Sequence, residues 1–369
     1  MIPVEILVIG GGPAGLCAAV QAAEMGSKVL IVDRNNTLGG QLVKQTHMFF
    51  GSEKQYASTR GFDIANILLD KIDKMKNVEI MRKATVLAIY EDGVVSLEHK
   101  DKYIKIKPKA IVVATGASEK NLAFPNNDLP GIYGAGAVQT LMNEYGVKPG
   151  NRVLMIGAGN IGLIVSYQLI QAGVRVEAIV EAAPTIGGYL VHASKVRRMG
   201  VPILTGYSIK EAYGTDSLES AAIWKLDENW RGIPGTEKKL NVDVICISVG
   251  LSPLSELLWQ AGCQMKYIHE LGGFVPVRDT NLHSSVKGLF VAGDVAGVEE
   301  ASSAMVEGYI AGMSAAAYLG YKLYNMKLVK EDLMNQLDSL RHGPVGEKIR
   351  RGISNLTIEH EAAASVDAL

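Results

Sequence analysis

Gly10-Gly11-Gly12-Pro13-Ala14-Gly15 is the stretch that decides the fold. It follows the apolar run Val4 to Ile9 and precedes the Ala-rich run Leu16 to Met25, after which Lys28 to Val32 is apolar again and Asp33 closes the segment. Outward from the glycines this is strand, tight turn, helix, strand and acid, a βαβ unit. In the spacing G-x-G-x-x-G, Gly10 serves the tight turn, Gly12 lets a pyrophosphate approach the backbone, and Gly15 lets helix and strand pack closely. The helix N-terminus offers free N–H groups and a partial positive charge to phosphate oxygens. Asp33, 18 positions beyond Gly15, stands where a carboxylate accepts both hydroxyls of an adenosine ribose.

The pattern returns about 147 residues later, as Arg152 to Ile156, Gly157-Ala158-Gly159-Asn160-Ile161-Gly162, Leu163 to Ala172 and Val174 to Val180, with Glu181 as the acid. A third element keeps nearly the same offset: Thr37-Leu38-Gly39-Gly40-Gln41-Leu42 is echoed by Thr185-Ile186-Gly187-Gly188-Tyr189-Leu190. Turn, acid and T-[LI]-G-G-x-L at nearly one displacement imply two related nucleotide domains. Gly157, Gly159, Asn160, Ile161, Gly162, Glu181 and Gly250 are the expected second nucleotide site. Glu181 would repel a 2′-phosphate, and no arginine directly follows it, which favours NAD(H) over NADP, with another adenine nucleotide as the alternative occupant.

Val78 to Met81, Thr85 to Tyr90, Val94 to His99 and Tyr103 to Lys107 read as a small antiparallel meander, with a counterpart in Ser220 to Leu226 and Lys238 to Val242. Each leads to an apolar strand ending in glycine, Ile111 to Gly116 and Ile245 to Gly250. Leu289-Phe290-Val291-Ala292-Gly293-Asp294 is a third signature, followed by an Ala-rich helix to about Leu319. Gly116 to Pro149 and Gly250 to Pro253 read as connections. From Tyr321 onward, Leu333, Leu337 and Leu340 form one helical stripe, and Ile349 with Ile353 another after Pro344. The expected class is α/β: two Rossmann-like domains of three-layer ββα character, each with a small antiparallel meander, and a helical C-terminal extension. The expected boundaries are 1–120 with 246–320 for a discontinuous first domain, 121–245 for the inserted one and 321–369 for the extension.

With 48% hydrophobic and 20% charged residues the chain can bury a large core, which excludes a predominantly disordered protein. The 37 basic and 38 acidic side chains leave a net charge of −1 and no basic stripe interleaved with aromatics, so the footprint of a nucleic-acid binder is missing. Cys17, Cys246 and Cys263 show no C-x-x-C spacing and offer no zinc knuckle or dithiol redox centre. No Ser/His/Asp set or metal-ligand cluster stands out, so redox chemistry here needs a cofactor. No apolar run approaches about 18 residues and no basic leader precedes the first strand, which leads us to expect a cytoplasmic chain without a membrane span.

In chain order, GGGPAG, acid, GGQL, meander, ATG, GAGNIG with its acid, and AGD before an Ala-rich helix resemble the two-dinucleotide-domain FAD/NAD(P) flavoproteins with the thioredoxin-reductase arrangement, over about residues 1–320. The run Gly293-Asp294-Val295-Ala296-Gly297-Val298-Glu299-Glu300-Ala301-Ser302-Ser303-Ala304 is similar to one branch of them. That branch comprises the FAD/NAD-type subunits of heteromeric amine and amino-acid dehydrogenases: opine oxidase, hydrogen cyanide synthase, dye-linked proline dehydrogenase and the large subunit of sarcosine oxidase. The resemblance implies FAD on the first domain and NAD(H), or another adenine nucleotide, on the second. It implies an FAD set of Gly10, Gly12, Pro13, Ala14, Gly15, Asp33, Arg34, Gly40, Gln41, Leu42, Val86, Ala114, Thr115, Gly116, Gly293, Asp294, Ala301 and Ser302. Asp294 would lie on the ribityl-phosphate region, and the helix from Ala301 would turn its positive end to the flavin pyrimidine edge.

The chain lacks the dithiols of disulfide reductases, and residues 321–369 carry no cysteine for an iron-sulfur cluster. The resemblance thus implies an FAD-dependent oxidoreductase, the electron-transfer subunit of a multi-subunit amino-acid or amine dehydrogenase. Its partners would be a flavoprotein dehydrogenase and a small iron-sulfur protein; a homo-oligomer is an alternative. A free-standing NADH-dependent flavin reductase and a nucleotide-bound scaffold are the rival readings. Lys44 and His47, just after the first Gly-Gly, are side-chain candidates for a role at the flavin, with surface or packing roles as the plainer alternative.

Overall fold

The run ahead of the first glycine turn is a strand, Ile2–Ile9, whose side chains from Ile6 to Ile9 are buried. Burial on both faces is what a parallel strand inside a covered sheet requires. In the computed structural model, which describes residues 2–356, this strand lies between Val29–Asp33 and Lys102–Val113 and pairs parallel with both. Val78–Arg82 extends the sheet beyond Val29–Asp33, and Leu289–Val291 joins Lys102–Val113, both in parallel register. Val95–His99 and Ala84–Ile89 complete seven strands by antiparallel pairing. Helix α1 (Pro13–Glu24) springs from the glycine turn and is buried from Ala14 to Ala23, while α2 (Gly61–Asp73) packs Ile64, Leu68 and Ile72 into the same core.

The chain divides into two compact units: one joins everything up to Ser118 with everything from Ser252, and the other is Glu119–Leu251. The second unit contains a five-stranded parallel sheet in the order Ile203–Thr205, Arg175–Glu181, Arg152–Ile156, Val244–Ile247, Ile132–Gly134. Helices α3 (Ala135–Asn143), α4 (Asn160–Gln171) and α5 (Leu190–Arg198) contribute Val138, Leu163 and Val196 to the core on one face. On the other face lies a three-stranded antiparallel sheet, Tyr207–Gly214, Leu218–Lys225 and Lys238–Leu240.

Back in the first unit, the chain forms a short α6 (Glu256–Gln260) and then α7 (Ala301–Tyr318), which is apolar around most of its circumference and buried for most of its length. It lies directly on α1. A Cβ at Gly308 or Gly312 would run into the carbonyls of Ala14 and Ala18, so these glycines set the close approach of the two backbones. Two more helices follow, α8 (Met326–Leu340), with Leu333 and Leu337 buried, and α9 (Gly343–Ser354), with Pro344 in its first turn and Ile349 buried. Residues 357–369 of the expected extension lie outside the described residues.

Several details differ from the sequence reading. Val78–Arg82, expected in the antiparallel meander, pairs parallel with Val29–Asp33 instead. Tyr103–Lys107 and Ile111–Val113 are parts of one strand, Lys102–Val113, because the strand Ile2–Ile9 pairs along both parts. The segment Gly116 to Pro149 contains the strand Ile132–Gly134 and α3. Cys246 and Ile247 belong to the inserted unit, since Val244–Ile247 pairs with Arg152–Ile156, so the chain returns to the first unit at Ser252 and not at 246.

Candidate functional site

The first glycine turn is built by backbone contacts. Gly10 takes φ +103°, and a Cβ there would strike the Ala114 carbonyl, so Ala114 and Thr115 lie directly against the turn. A Cβ at Gly15 would strike the Gly10 carbonyl, which fixes how closely α1 follows the strand. Gly12 differs: a Cβ there meets only the Gly40 Cα, at 3.8 Å, so its outer side is open to a ligand. Gly12 caps α1, with Pro13 in the first turn where a missing N–H costs nothing.

Asp33 is buried, and its two oxygens are already oriented: Oδ2 accepts the Gly11 N–H at 2.6 Å and Oδ1 the Asn35 N–H at 2.7 Å. Two backbone donors fix the carboxylate while leaving lone pairs for ribose hydroxyls. Arg34 beside it is exposed. The Gly39 N–H donates to the Gly11 carbonyl at 2.7 Å, which lays the 3₁₀ turn Gly40–Lys44 across the glycine turn, with Leu42 fully buried and Gln41 exposed. Val86 sits on Ala84–Ile89, partly buried against the core that contains Val32. The Thr115 hydroxyl donates to the Leu254 carbonyl at 2.8 Å, and the Gly116 carbonyl accepts the Leu254 N–H at 2.9 Å.

Gly293 reaches the same place from the far end of the chain: a Cβ there would stand 2.9 Å from that of Ala14. Thus Gly10 to Gly15, Asp33, Gly40, Ala114 and Gly293 converge on one end of the parallel sheet. Burial pushes the Asp294 carboxyl up to about 7, against the Glu299 N–H that it accepts at 3.3 Å. Ala301 and the buried Ser302 open α7 immediately beyond. Lys44 ends the 3₁₀ turn, and His47 stacks on Phe49 with ring centroids 5.8 Å apart.

The second unit repeats the construction. Gly157 takes φ +106° against the Ser248 carbonyl, Gly162 packs on the Gly157 carbonyl, and a Cβ on Gly159 would meet nothing within 4 Å. Glu181 accepts the Ala158 N–H at 2.8 Å and the Ala183 N–H at 3.0 Å, the same two-donor arrangement that orients Asp33. Asn160 opens α4 and uses its side-chain carbonyl to accept the Tyr189 N–H at 2.8 Å. Ile161 is 38% exposed, and the Gly250 carbonyl accepts the Lys120 N–H at 2.9 Å.

One group carries no sequence motif. Arg278 and Glu307, both buried, pair at 3.0 Å, and Glu307 also accepts the Gly293 N–H at 2.9 Å. Arg341, at the C-terminal end of α8, grips Glu299 with two bonds of 2.9 and 2.6 Å and reaches Glu307 at 2.8 Å. Burial by itself would raise the Glu307 carboxyl, but the two guanidinium groups outweigh it and hold it below the usual range. Positions scattered from 278 to 341 give no periodicity by which to find this set.

The cysteines are Cys17 in α1, Cys246 in a strand of the second unit and Cys263 after α6; all are buried and unbridged. Burial pushes the Cys17 thiol up to about 12 and raises the other two, so none is a thiolate near neutrality. Among the described residues no helix is long and apolar enough to cross a membrane.

Residues 4–308 match the model of the pyridine nucleotide-disulphide oxidoreductases. The chain belongs to that family. Membership makes it an FAD-dependent oxidoreductase and implies binding of FAD and NAD(P), here without a disulfide pair. An opine oxidase subunit of Agrobacterium tumefaciens (strain Ach5) is 26% identical over 366 residues, covering 94% of this chain and 70% of that one. The alpha subunit of sarcosine oxidase from Rhizobium meliloti (strain 1021) is 28% identical over 341 residues, 88% of this chain but 32% of the relative. In fold, the chain matches the thioredoxin reductase of T. acidophilum with a TM-score of 0.71, at 23% identity over 86% of this chain and 99% of that one. The L-proline dehydrogenase of P. horikoshii matches with a TM-score of 0.68, at 22% identity over 90% of this chain and 59% of that one.

Proposed function

We propose that the first unit holds FAD, that the second holds NAD(H), and that the chain is the electron-transfer subunit of a heteromeric amino-acid or amine dehydrogenase. The observation that carries the proposal is the duplicated cradle: an open glycine at a helix N-terminus and a carboxylate oriented by two backbone N–H groups, once in each unit. Bound there, FAD would supply two-electron chemistry and the pyridine nucleotide a hydride donor or acceptor.

The chain's own residues bind and orient. The turn at Gly12 and the start of α1 would hold a pyrophosphate, Asp33 the adenosine hydroxyls, and Gly293 with Asp294 the far end of the cofactor. Glu181 would accept the hydroxyls of a ribose bearing a free 2′-OH and repel a 2′-phosphate, which favours NAD(H). The dehydrogenase assignment is supported by the names of the relatives, each a subunit of an oxidase, and by the lack of any thiolate on this chain to take electrons onward. Partners of the flavoprotein-dehydrogenase and iron-sulfur kinds follow from the same reading, as does the placing of Lys44 and His47 near the flavin.

Rapid mixing of the FAD-loaded chain with NADH tests it. The flavin absorbance should bleach, and Glu181→Ala should weaken NADH by roughly 10- to 100-fold, the worth of hydrogen bonds to a charged group, with FAD content unaltered. An oxidised spectrum that NADH leaves unchanged would sink the electron-transfer role.

A further inference from the structure

A buried charged group gathers around the start of α7. Glu299 precedes α7 and Glu307 lies in its second turn, where an ionised carboxylate offsets the positive end of the helix unless a cation neutralises it. Both are covered by protein, so neither is screened by water as a surface acid would be. Arg278 answers Glu307, and Arg341, from the extension that follows the last strand of the sheet, answers both. Two cations thus balance two anions, with Asp294 as a fifth group joined to Glu299 through its backbone N–H. Arg341 is itself anchored: its carbonyl accepts from Arg350 of α9. α8 is also tied to the segment that follows the Gly40–Lys44 turn, through Lys54 to Asp332 at 2.7 Å and Gln55 to Gln336 at 2.5 Å.

We propose that Arg341 is a positioning residue of the FAD site, the charge by which the C-terminal extension neutralises Glu299 and Glu307 and so sets the potential that the start of α7 presents to the flavin. This rests on the FAD reading above. An isolated buried carboxylate there would make the negative charge gained on flavin reduction more costly. A bidentate guanidinium removes that cost while holding the Gly293–Glu299 segment in place.

The test is the flavin midpoint potential of the full chain in four forms: wild type, Arg341→Met, Glu299→Gln and the double variant. Arg341→Met should shift the potential to more negative values, lowering the equilibrium constant for flavin reduction by on the order of tenfold. Glu299→Gln should shift it the opposite way, and the double variant should return towards wild type. A purely structural role would loosen FAD in both single variants without opposite shifts, and that result overturns the proposal. Should Arg341→Met fail to fold, Glu299→Gln decides: no positive shift overturns it. A wild-type chain that takes up no FAD overturns the FAD reading as well, whereas FAD uptake with unmoved potentials overturns this inference alone.

Discussion

The two cradles share their turn and their acid but differ at the Gly-Gly segment that follows. In the first unit Gly40–Lys44 is a 3₁₀ turn and Leu42 is 0% exposed; at the corresponding place in the second, Leu190 opens α5 and is 77% exposed. In the first unit α7 packs on α1 through Gly308 and Gly312, while in the second Tyr189, Leu190 and Val191 expose apolar surface. The same arrangement of turn and acid therefore goes with two different enclosures. A segment packed into a core suits a resident cofactor, and an open one suits a nucleotide that comes and goes.

Gly12→Val and Gly159→Val give the hardest test of that equivalence. A Cβ meets only the Gly40 Cα, at 3.8 Å, at Gly12 and nothing within 4 Å at Gly159, so the fold should survive in both. Gly12→Val should lose FAD altogether, read as flavin content after purification, and Gly159→Val should keep FAD but lose NADH binding. Normal flavin content in Gly12→Val would remove the first assignment.

The difference in enclosure predicts unequal stability losses. Leu42→Ala should cost about 2 to 5 kcal/mol, the usual penalty for truncating a core leucine, whereas Leu190→Ala should stay within about 0.5 kcal/mol. Denaturant titration measures both; equal losses would show that the segments are equally packed.

The smallest effect is a pH slope. Asp294 titrates near 7 in the folded chain and near 3.8 when unfolded, so between those values the folded state holds the extra proton and stability falls as pH rises. Glu299, raised chiefly by burial, acts in the same direction, while Glu307, held down by Arg278 and Arg341, acts against it. Asp294→Asn should flatten the slope of cofactor-free stability between about pH 4 and 7. An unchanged slope would mean that Asp294 ionises as freely as in the unfolded chain.

Much of this is legible in the sequence because it is local. A glycine turn, the helix it starts and the acid ending the next strand are written within about 25 residues, and backbone sterics leave few alternatives for that pattern. The helical stripes of Leu333, Leu337 and Ile349 are readable for the same reason. The strand Tyr207–Gly214 is not: its polar and apolar residues make a strand only when paired with Leu218–Lys225.

The amino-acid sequence by itself determined two nucleotide turns, their acids and the absence of a C-x-x-C pair, since each depends on residues near one another in the chain. Only the tertiary structure decided that Leu42 is sealed and Leu190 open, and that Arg341 meets Glu299 and Glu307. Burial and charge pairing between distant positions depend on which helices pack together, and no local periodicity encodes that choice.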